Sequence, residues 1–445
     1  MEPKTETPRL NTETQLEKLS YEALLEGRDL TKGVERAFGQ DGMGIVVVTG
    51  VPGIAHARHR LLKMGQRFAN LPEATKARFE NPGSNYSIGW SHGKEVLEAG
   101  HPDFAKGSFY AYICHDAPFE DDDPDDPAAE KQPGLMYPNI WPDDVADGVS
   151  DFSKEFKALG QAVVRVGMLL ARQCDKYVEG IHLGYEPGKL ERIVSSSRGH
   201  TGRLLHYFPR DRREAEVCDR IGMARTSSGP SPLGEPLKAN RSSAGTNCIG
   251  LGRGNDDKDS FSDWCGWHHD RSSLTGLVPG MFLDKAGEEV ENVDPTSGLF
   301  IRSRQGYLIQ AKLPAGESAS TCLFFQIGET TQVHSGGALQ ATPHAVRGTS
   351  QAGKMRHDQT LACLSCFSRE VFAVFMQPEW GESMDVPRGT DRSSVRSLHA
   401  ERLLPRGAAP LASRLRPGMN FGEFTVATLA AFNSDNQEAA STATA

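Results

Sequence analysis

The chain carries Trp267-His268-His269-Asp270-Arg271-Ser272-Ser273-Leu274-Thr275 and, well downstream, Gln340-Ala341-Thr342-Pro343-His344-Ala345-Val346-Arg347. Alternate side chains of a β-strand share a face, so His268 and Asp270 can converge on one ion while His269 points away. His344 would arrive from a distant strand. Two histidines and one carboxylate on one face of an octahedron leave the opposite positions open, the donor set with which non-haem iron oxygenases hold Fe(II), a co-substrate and O2 together. A bare His-x-Asp also occurs as a satisfied surface pair. The surroundings therefore carry the decision.

From about residue 200 onward, short β-rich runs bounded by glycine and proline dominate: Arg203 to Phe208, Leu274 to Leu283, Gly298 to Arg302, Leu308 to Leu313, Cys322 to Ile327, Ala341 to Val346 and Val371 to Gln377. Seven or eight such runs suit a double-sheet jelly roll. Upstream the pattern is mixed. Tyr21 to Phe38 and Ala55 to Phe79 have apolar residues at helical spacing on either side of the Val46 to Val48 strand, and Ser150 to Glu179 reads as a long amphipathic helix covering an outer face of the sheet. The expected fold is mainly β with flanking helices: a double-stranded β-helix (jelly roll) core plus an α/β amino-terminal module. Its segments are a loose polar stretch over 1–20, the module over 21–199, the jelly roll over 200–380, a carboxy-terminal segment over 381–432 and a disordered Ala/Ser/Thr-rich tail over 433–445. The acidic run Glu120-Asp121-Asp122-Asp123-Pro124-Asp125-Asp126-Pro127 is too proline-broken for a helix and lacks the glycine of a calcium loop, which makes it a solvated loop.

Composition narrows the function. With 445 residues, 38% hydrophobic and 24% charged, the chain can bury a large core. The net charge of -9, with basic residues dispersed, disfavours nucleic-acid and membrane-surface partners. No apolar run is long enough to span a bilayer. The polar start Met1-Glu2-Pro3-Lys4-Thr5-Glu6 does not read as a secretory signal, so a cytoplasmic, monomeric protein acting on a small molecule is the expectation.

Several stretches, in order, resemble the isopenicillin N synthase-like family of Fe(II)/2-oxoglutarate dioxygenases. They are Gly44-Ile45-Val46-Val47-Val48-Thr49-Gly50-Val51, Phe68-Ala69-Asn70-Leu71-Pro72-Glu73-Ala74-Thr75-Lys76, Leu204-Leu205-His206-Tyr207-Phe208-Pro209, Gly266-Trp267-His268-His269-Asp270, and Gln326-Ile327-Gly328-Glu329 through to His344. The likeness runs from roughly residue 20 to 430. It implies a jelly-roll oxygenase with His268, Asp270 and His344 as metal ligands. It also implies Fe(2+) with 2-oxoglutarate and O2 as co-substrates, ascorbate as a supporting reductant, and succinate and CO2 formed as a substrate C-H bond is oxidised. Relative to the family, 212–260 and 348–367 look like insertions.

The far carboxylate of 2-oxoglutarate calls for a bidentate cation, best supplied by arginine. Arg356 and Arg369 compete, 12 and 25 residues beyond His344. Arg369 leads directly into Glu370-Val371-Phe372-Ala373-Val374-Phe375-Met376-Gln377-Pro378, which resembles the family's last core strand, and is preferred. Val371 stands where the family has a Ser or Thr. His206-Tyr207-Phe208-Pro209 stands where many members have Asn-x-Tyr-Pro, so that Phe208 lacks the hydroxyl and His206 replaces the amide. His206 and Tyr207 are the expected co-substrate contacts on this strand. A lost hydrogen bond to a charged group costs about 1.5–3 kcal/mol, and a catalytically inactive or 2-oxoglutarate-independent metal-binding jelly roll is the competing reading. Tyr86 and His92, in Asn85-Tyr86-Ser87-Ile88-Gly89-Trp90-Ser91-His92-Gly93, are candidate substrate contacts. His92 and His334 also read as ordinary loop hydrogen-bonders. The eight scattered cysteines suit reduced thiols. Among them, Cys363-Leu364-Ser365-Cys366 has redox or zinc spacing without a partner motif, and Cys265 reads as a small residue beside the site rather than a fourth ligand.

Overall fold

The run Ile45-Val46-Val47-Val48 is buried on both faces, as expected of a strand inside a sheet that is covered on each side. It belongs to a computed structural model that describes residues 10–11, 15–94, 103–118, 137–145, 148–209, 264–291, 295–348, 367–395 and 409–442. In chain order the elements begin with β1 (Leu10–Asn11), β2 (Lys18–Ser20), α1 (Tyr21–Leu25), α2 (Thr31–Phe38), β3 (Ile45–Thr49), α3 (Ile54–Ala69), α4 (Glu73–Lys76), β4 (Gly89–His92) and β5 (Lys106–Tyr112). There follow α5 (Phe152–Glu179), α6 (Lys189–Ser196), β6 (Thr201–Tyr207), β7 (Cys265–His268), β8 (Leu274–Leu283), β9 (Glu289–Val290), β10 (Gly298–Arg302), β11 (Leu308–Gln310) and β12 (Leu323–Ile327). The last are α7 (Glu329–His334), β13 (His344–Arg347), β14 (Ser368–Met376), α8 (Arg392–Val395), α9 (Leu411–Arg414) and α10 (Phe421–Thr442).

Two sheets face each other in a double-stranded β-helix with flanking helices. The smaller runs β1-β11-β10-β13-β7, the larger β2-β3-β12-β8-β14-β6-β5-β4, with β9 on β8. Strand alternation divides the larger sheet's side chains between an inner and an outer face. The outer face carries Val46, Phe109, Leu204, Phe372 and Met376 and packs under α3 and α5. The 28-residue α5, about 42 Å long, buries Phe152, Phe156, Leu159, Val163 and Leu170 on it. The inner face meets the smaller sheet. At one end the gap is closed by Ile45, Val47, Ile301, Cys322 and Phe324; the other end holds the site.

Three features of the fold bear on the segmentation expected from sequence. Strands β3, β4 and β5 of the expected amino-terminal module are hydrogen-bonded into the same sheet as β6, β8, β12 and β14, because buried strands need partners on both edges. Residues 15–20 are not loose: β2 pairs in parallel with β3, burying Leu16 and Leu19. The backbone of α10 runs on to Thr442, into the stretch 433–445 expected to be a disordered tail, whose last three residues lie outside the described ones. The carboxy-terminal segment has its own apolar cluster of Met384, Leu411, Leu415, Phe421 and Phe424 against Val333 of α7. The acidic run, both expected insertions (save Gly348 and Phe367), Arg356 and the Cys363–Cys366 pair lie outside the described residues. Among the described residues no helix is long and apolar enough to cross a membrane.

Candidate metal centre

Strands β7 and β13 are antiparallel neighbours, and His268 is paired with His344 across them. One rung further on, Val346 faces Cys265, so β7 spends one more residue than β13 over the same interval. That bulge turns Cys265 and His268 to the same side although strict alternation would oppose them; Cys265 Sγ lies 3.8 Å from His268 Nδ1.

The strand ends at His268, so Asp270 is delivered by the following loop rather than by strand alternation. Backbone and side chains around the start of α7 pin that loop. Glu329 N–H donates to the Asp270 carbonyl (2.7 Å), Gly328 N–H to that of Ser273 (3.1 Å), and the hydroxyls of Thr330 and Thr331 to the carbonyls of Arg271 and Ser273 (2.6 and 2.8 Å). Only glycine permits this approach at 328, where a Cβ would lie 1.9 Å from the Ser272 carbonyl oxygen. His269 turns the opposite way, its Nδ1 3.7 Å from Glu329 Oε1.

The Nε2 atoms of His268 and His344 stand 3.8 and 3.7 Å from Asp270 Oδ1, and one ligand atom from each of the three residues lies within 4.8 Å of the others. Each imidazole places Nδ1 against a backbone carbonyl, His268 on Gly266 (2.8 Å) and His344 on Thr342 (3.2 Å). A proton held there leaves the Nε2 lone pair free to face the common point, which is how second-shell carbonyls prepare metal-binding histidines. Asp270 Oδ2 is buried without a hydrogen-bond partner among the described residues. Donors and geometry fit a divalent cation.

Electrostatics agree in sign. Burial disfavours charge on Asp270, but the His344 and His268 rings hold its carboxyl below the usual range. Burial also opposes charge on His268, while Cys265 and then Asp270 raise it to about 9; His344, buried beside His268, is pushed down to about 4. A dication would compete with the His268 proton.

On the facing wall, Arg369 of β14 is paired with Tyr207 of β6 and Phe282 of β8. Its guanidinium carbon lies 5.4 Å from the Tyr207 ring centre and 5.7 Å from that of Trp264, two rings that stack at 4.6 Å. Gly280 leaves it room, since a Cβ there would come within 3.1 Å of Nε. Trp264 N–H donates to the Val346 carbonyl at 3.3 Å, tying this group to the strand that carries His344. Among the described residues no carboxylate is within ion-pair distance of Arg369. Burial lowers its affinity for a proton, and the neighbouring Tyr207 phenol works against that.

Residues 15–144 match the family model described as non-haem dioxygenase in morphine synthesis, N-terminal. Solved structures extend the likeness over nearly the whole chain. Full-length Neurospora crassa T7H in complex with alpha-KG and thymine superposes with a TM-score of 0.57 at 16% identity, covering 95% of this chain and 99% of that one. A Caulobacter crescentus protein described as of the 2OG-Fe(II) oxygenase family gives 0.55 at 15% identity, covering 94% and 99%. JOX2 in complex with 2OG, Fe and JA gives 0.51 at 14% identity, covering 93% and 84%. The chain has the fold of the Fe(II)/2-oxoglutarate oxygenases. No curated protein matches its sequence.

Within this oxygenase fold the remaining expected residues divide by face. Tyr207 looks inward beside Arg369, but His206 and Phe208 look outward. His206 Nδ1 is 2.8 Å from Glu370 Oε1, in a buried group with Ser368 and Gln66 of α3, and the Phe208 ring packs 4.4 Å from His206. His206 therefore faces away from the gap that Arg369 and Tyr207 share, against its reading as a co-substrate contact, and it is Tyr207, not Phe208, that stands beside Arg369. A one-residue step along a strand exchanges its faces, which is why neighbours 206 and 207 look opposite ways. His92 is likewise outward, 4.7 Å from Phe208 and 3.3 Å from the Phe104 carbonyl, and is withdrawn as a substrate contact. Tyr86 lies in the turn before β4 with a positive φ of 58° and its ring 4.8 Å from Lys94 Nζ. His334 is buried in α7, its Nε2 2.8 Å from the Ser383 carbonyl. Sequence reasoning missed Trp264 and the Glu329–Arg414 pair; nothing local announces Arg414.

Proposed function

We propose that the protein is an Fe(II)/2-oxoglutarate-dependent oxygenase that oxidises, most simply by hydroxylation, a C-H bond of a small-molecule substrate, with succinate and CO2 as co-products. The observation that carries this is the pair of imidazoles whose Nε2 atoms face the Asp270 carboxylate while carbonyls occupy both Nδ1 atoms. Bound Fe(II) would supply O2 activation, with 2-oxoglutarate as the source of the electrons and ascorbate as a supporting reductant.

In this reading His268, Asp270 and His344 hold the metal, and α7 holds the loop that delivers Asp270. Arg369 takes the far carboxylate of 2-oxoglutarate, its fork matching the two oxygens. Tyr207 and Trp264 orient that guanidinium. Val371 contributes no hydrogen bond; with Leu205, Trp264, Phe282 and Val346 it forms an apolar lining that keeps water from the reacting groups. Tyr86 is retained as a candidate substrate contact. A cytoplasmic, monomeric protein with no nucleic-acid partner belongs to the same proposal, supported by its acidic balance.

The test is succinate formation from 2-oxoglutarate by anaerobically iron-loaded protein after air is admitted, with His344→Ala as control. Triad-dependent succinate is expected. Iron retained without succinate, with a substrate panel present, would favour a metal-binding protein that does not use 2-oxoglutarate.

A further inference from the structure

Helix α7 is six residues long, too short to be fixed by its own hydrogen bonds. Its place is set by what it touches, and its residues reach two parts of the chain. Glu329 N–H and the Thr330 and Thr331 hydroxyls pin the loop that carries Asp270. Other groups of the same helix are held by the carboxy-terminal segment. The Glu329 carboxylate takes two bonds from Arg414, Val333 packs into the apolar cluster of Met384 and Phe421, and His334 Nε2 lies 2.8 Å from the Ser383 carbonyl.

Gln332 joins the two parts with one buried amide. Its Nε2 donates to the Val395 carbonyl at 3.0 Å, and its Oε1 accepts from Ala341 N–H at 2.9 Å. Ala341 stands three residues before His344, on the run that enters β13. Gln332 thus ties the carboxy-terminal segment to the approach of one metal ligand, while Arg414, through Glu329, ties it to the loop of another. Arg414 is itself anchored, with Nη2 on the Ala409 carbonyl at 2.8 Å and Nη1 on the Thr428 hydroxyl at 3.0 Å. Both of its forks are therefore fixed before they meet Glu329.

We propose that Gln332 and Arg414 are positioning residues of the metal centre, through which the carboxy-terminal segment sets where Asp270 and His344 stand. The inference rests on reading the triad as a metal centre. It differs from a role in stability alone. A less stable chain still binds metal with unchanged affinity while it is folded, whereas displaced ligands weaken the metal in the folded protein, by roughly the 10- to 100-fold that loss of a supporting hydrogen bond costs.

The test uses the full chain and Mn(II) alone. Electron paramagnetic resonance counts free Mn(II) during a titration and reports ligand geometry in the bound signal, with circular dichroism to confirm folding. Gln332→Leu and Arg414→Met should each weaken Mn(II) binding roughly 10- to 100-fold and alter the bound signal. Arg414→Lys, which keeps a cation on Glu329, should recover most of both. Phe68→Leu, in the aromatic cluster with Phe79, Trp90 and Phe109, removes packing elsewhere and should bind Mn(II) as the unaltered chain does. Unchanged affinity and signal in folded Gln332→Leu and Arg414→Met, or equal weakening in Phe68→Leu, would overturn the coupling; if Arg414→Met does not fold, Gln332→Leu decides alone. Undiminished Mn(II) binding by His344→Ala would instead overturn the metal centre, and the coupling with it.

Discussion

His268 and His344 are cross-strand partners on β7 and β13, with ring centres 4.3 Å apart. Their separation is set by the spacing of adjacent strands, and the loop after β7 needs only to bring Asp270 back beneath them. Replacing His268, Asp270 or His344 by alanine should therefore lower Fe(II) or Mn(II) affinity by at least about 100-fold, above the range seen when only a second-shell partner is removed. Metal content after dialysis, with circular dichroism to confirm folding, checks this; stoichiometric metal in any of the three would remove that residue from the ligand set.

The approach of Gly328 to the Asp270 loop makes it sensitive to a single methyl. Gly328→Ala must push the Ser272 carbonyl aside, because the obstructing atom is backbone. A loss of about 1–3 kcal/mol in stability is expected, with weakened metal binding, measured by denaturant unfolding and metal titration of one preparation.

Arg414 reaches from the carboxy-terminal segment to grip Glu329 with two bonds, 2.5 and 2.8 Å, both side chains being only 4% exposed. Removing one partner strands a buried charge. Arg414→Met should cost about 3–5 kcal/mol and Arg414→Met with Glu329→Leu distinctly less. A double variant as unstable as the single would contradict the pairing.

The inward face of β6 can be tested through 2-oxoglutarate. Arg369→Ala should raise its KM by roughly 10- to 100-fold, the equivalent of a lost charge-assisted bond, and Tyr207→Phe by a smaller factor. Phe208→Leu should leave it near wild type, since that ring packs outward on His206 and His92. A larger effect at 208 than at 207 would place Phe208, not Tyr207, on the co-substrate side of the strand.

His200 offers a pH test away from the metal. It is fully buried, with Nε2 2.8 Å from the Val194 carbonyl, and burial pushes it down to about 4. The folded chain keeps it neutral while the unfolded chain takes up a proton near 6.5. Its contribution to stability is thus present above about pH 6.5 and lost as pH falls towards 4, on the order of 3 kcal/mol. His200→Gln should flatten that part of the stability–pH curve; an unchanged slope would show that other groups dominate.

Much of this molecule is written in local pattern. The four-residue apolar run of β3, the 3.6-residue periodicity of α5 and the turn-bounded β runs after residue 200 are short-range consequences of side-chain geometry, and they determined the fold class. The His-x-Asp spacing and its later histidine likewise named the three residues that the structure gathers. What tertiary structure alone decided is how the strands register. The β7 bulge brings Cys265 to the side of His268, and the pairing of Arg369 with Tyr207 makes that tyrosine, not His206 or Phe208, face the gap. The meeting of Arg414 with Glu329 also depends on it. The period of a strand says which residues share a face but not which face is inward, because that is settled by partners distant in the chain.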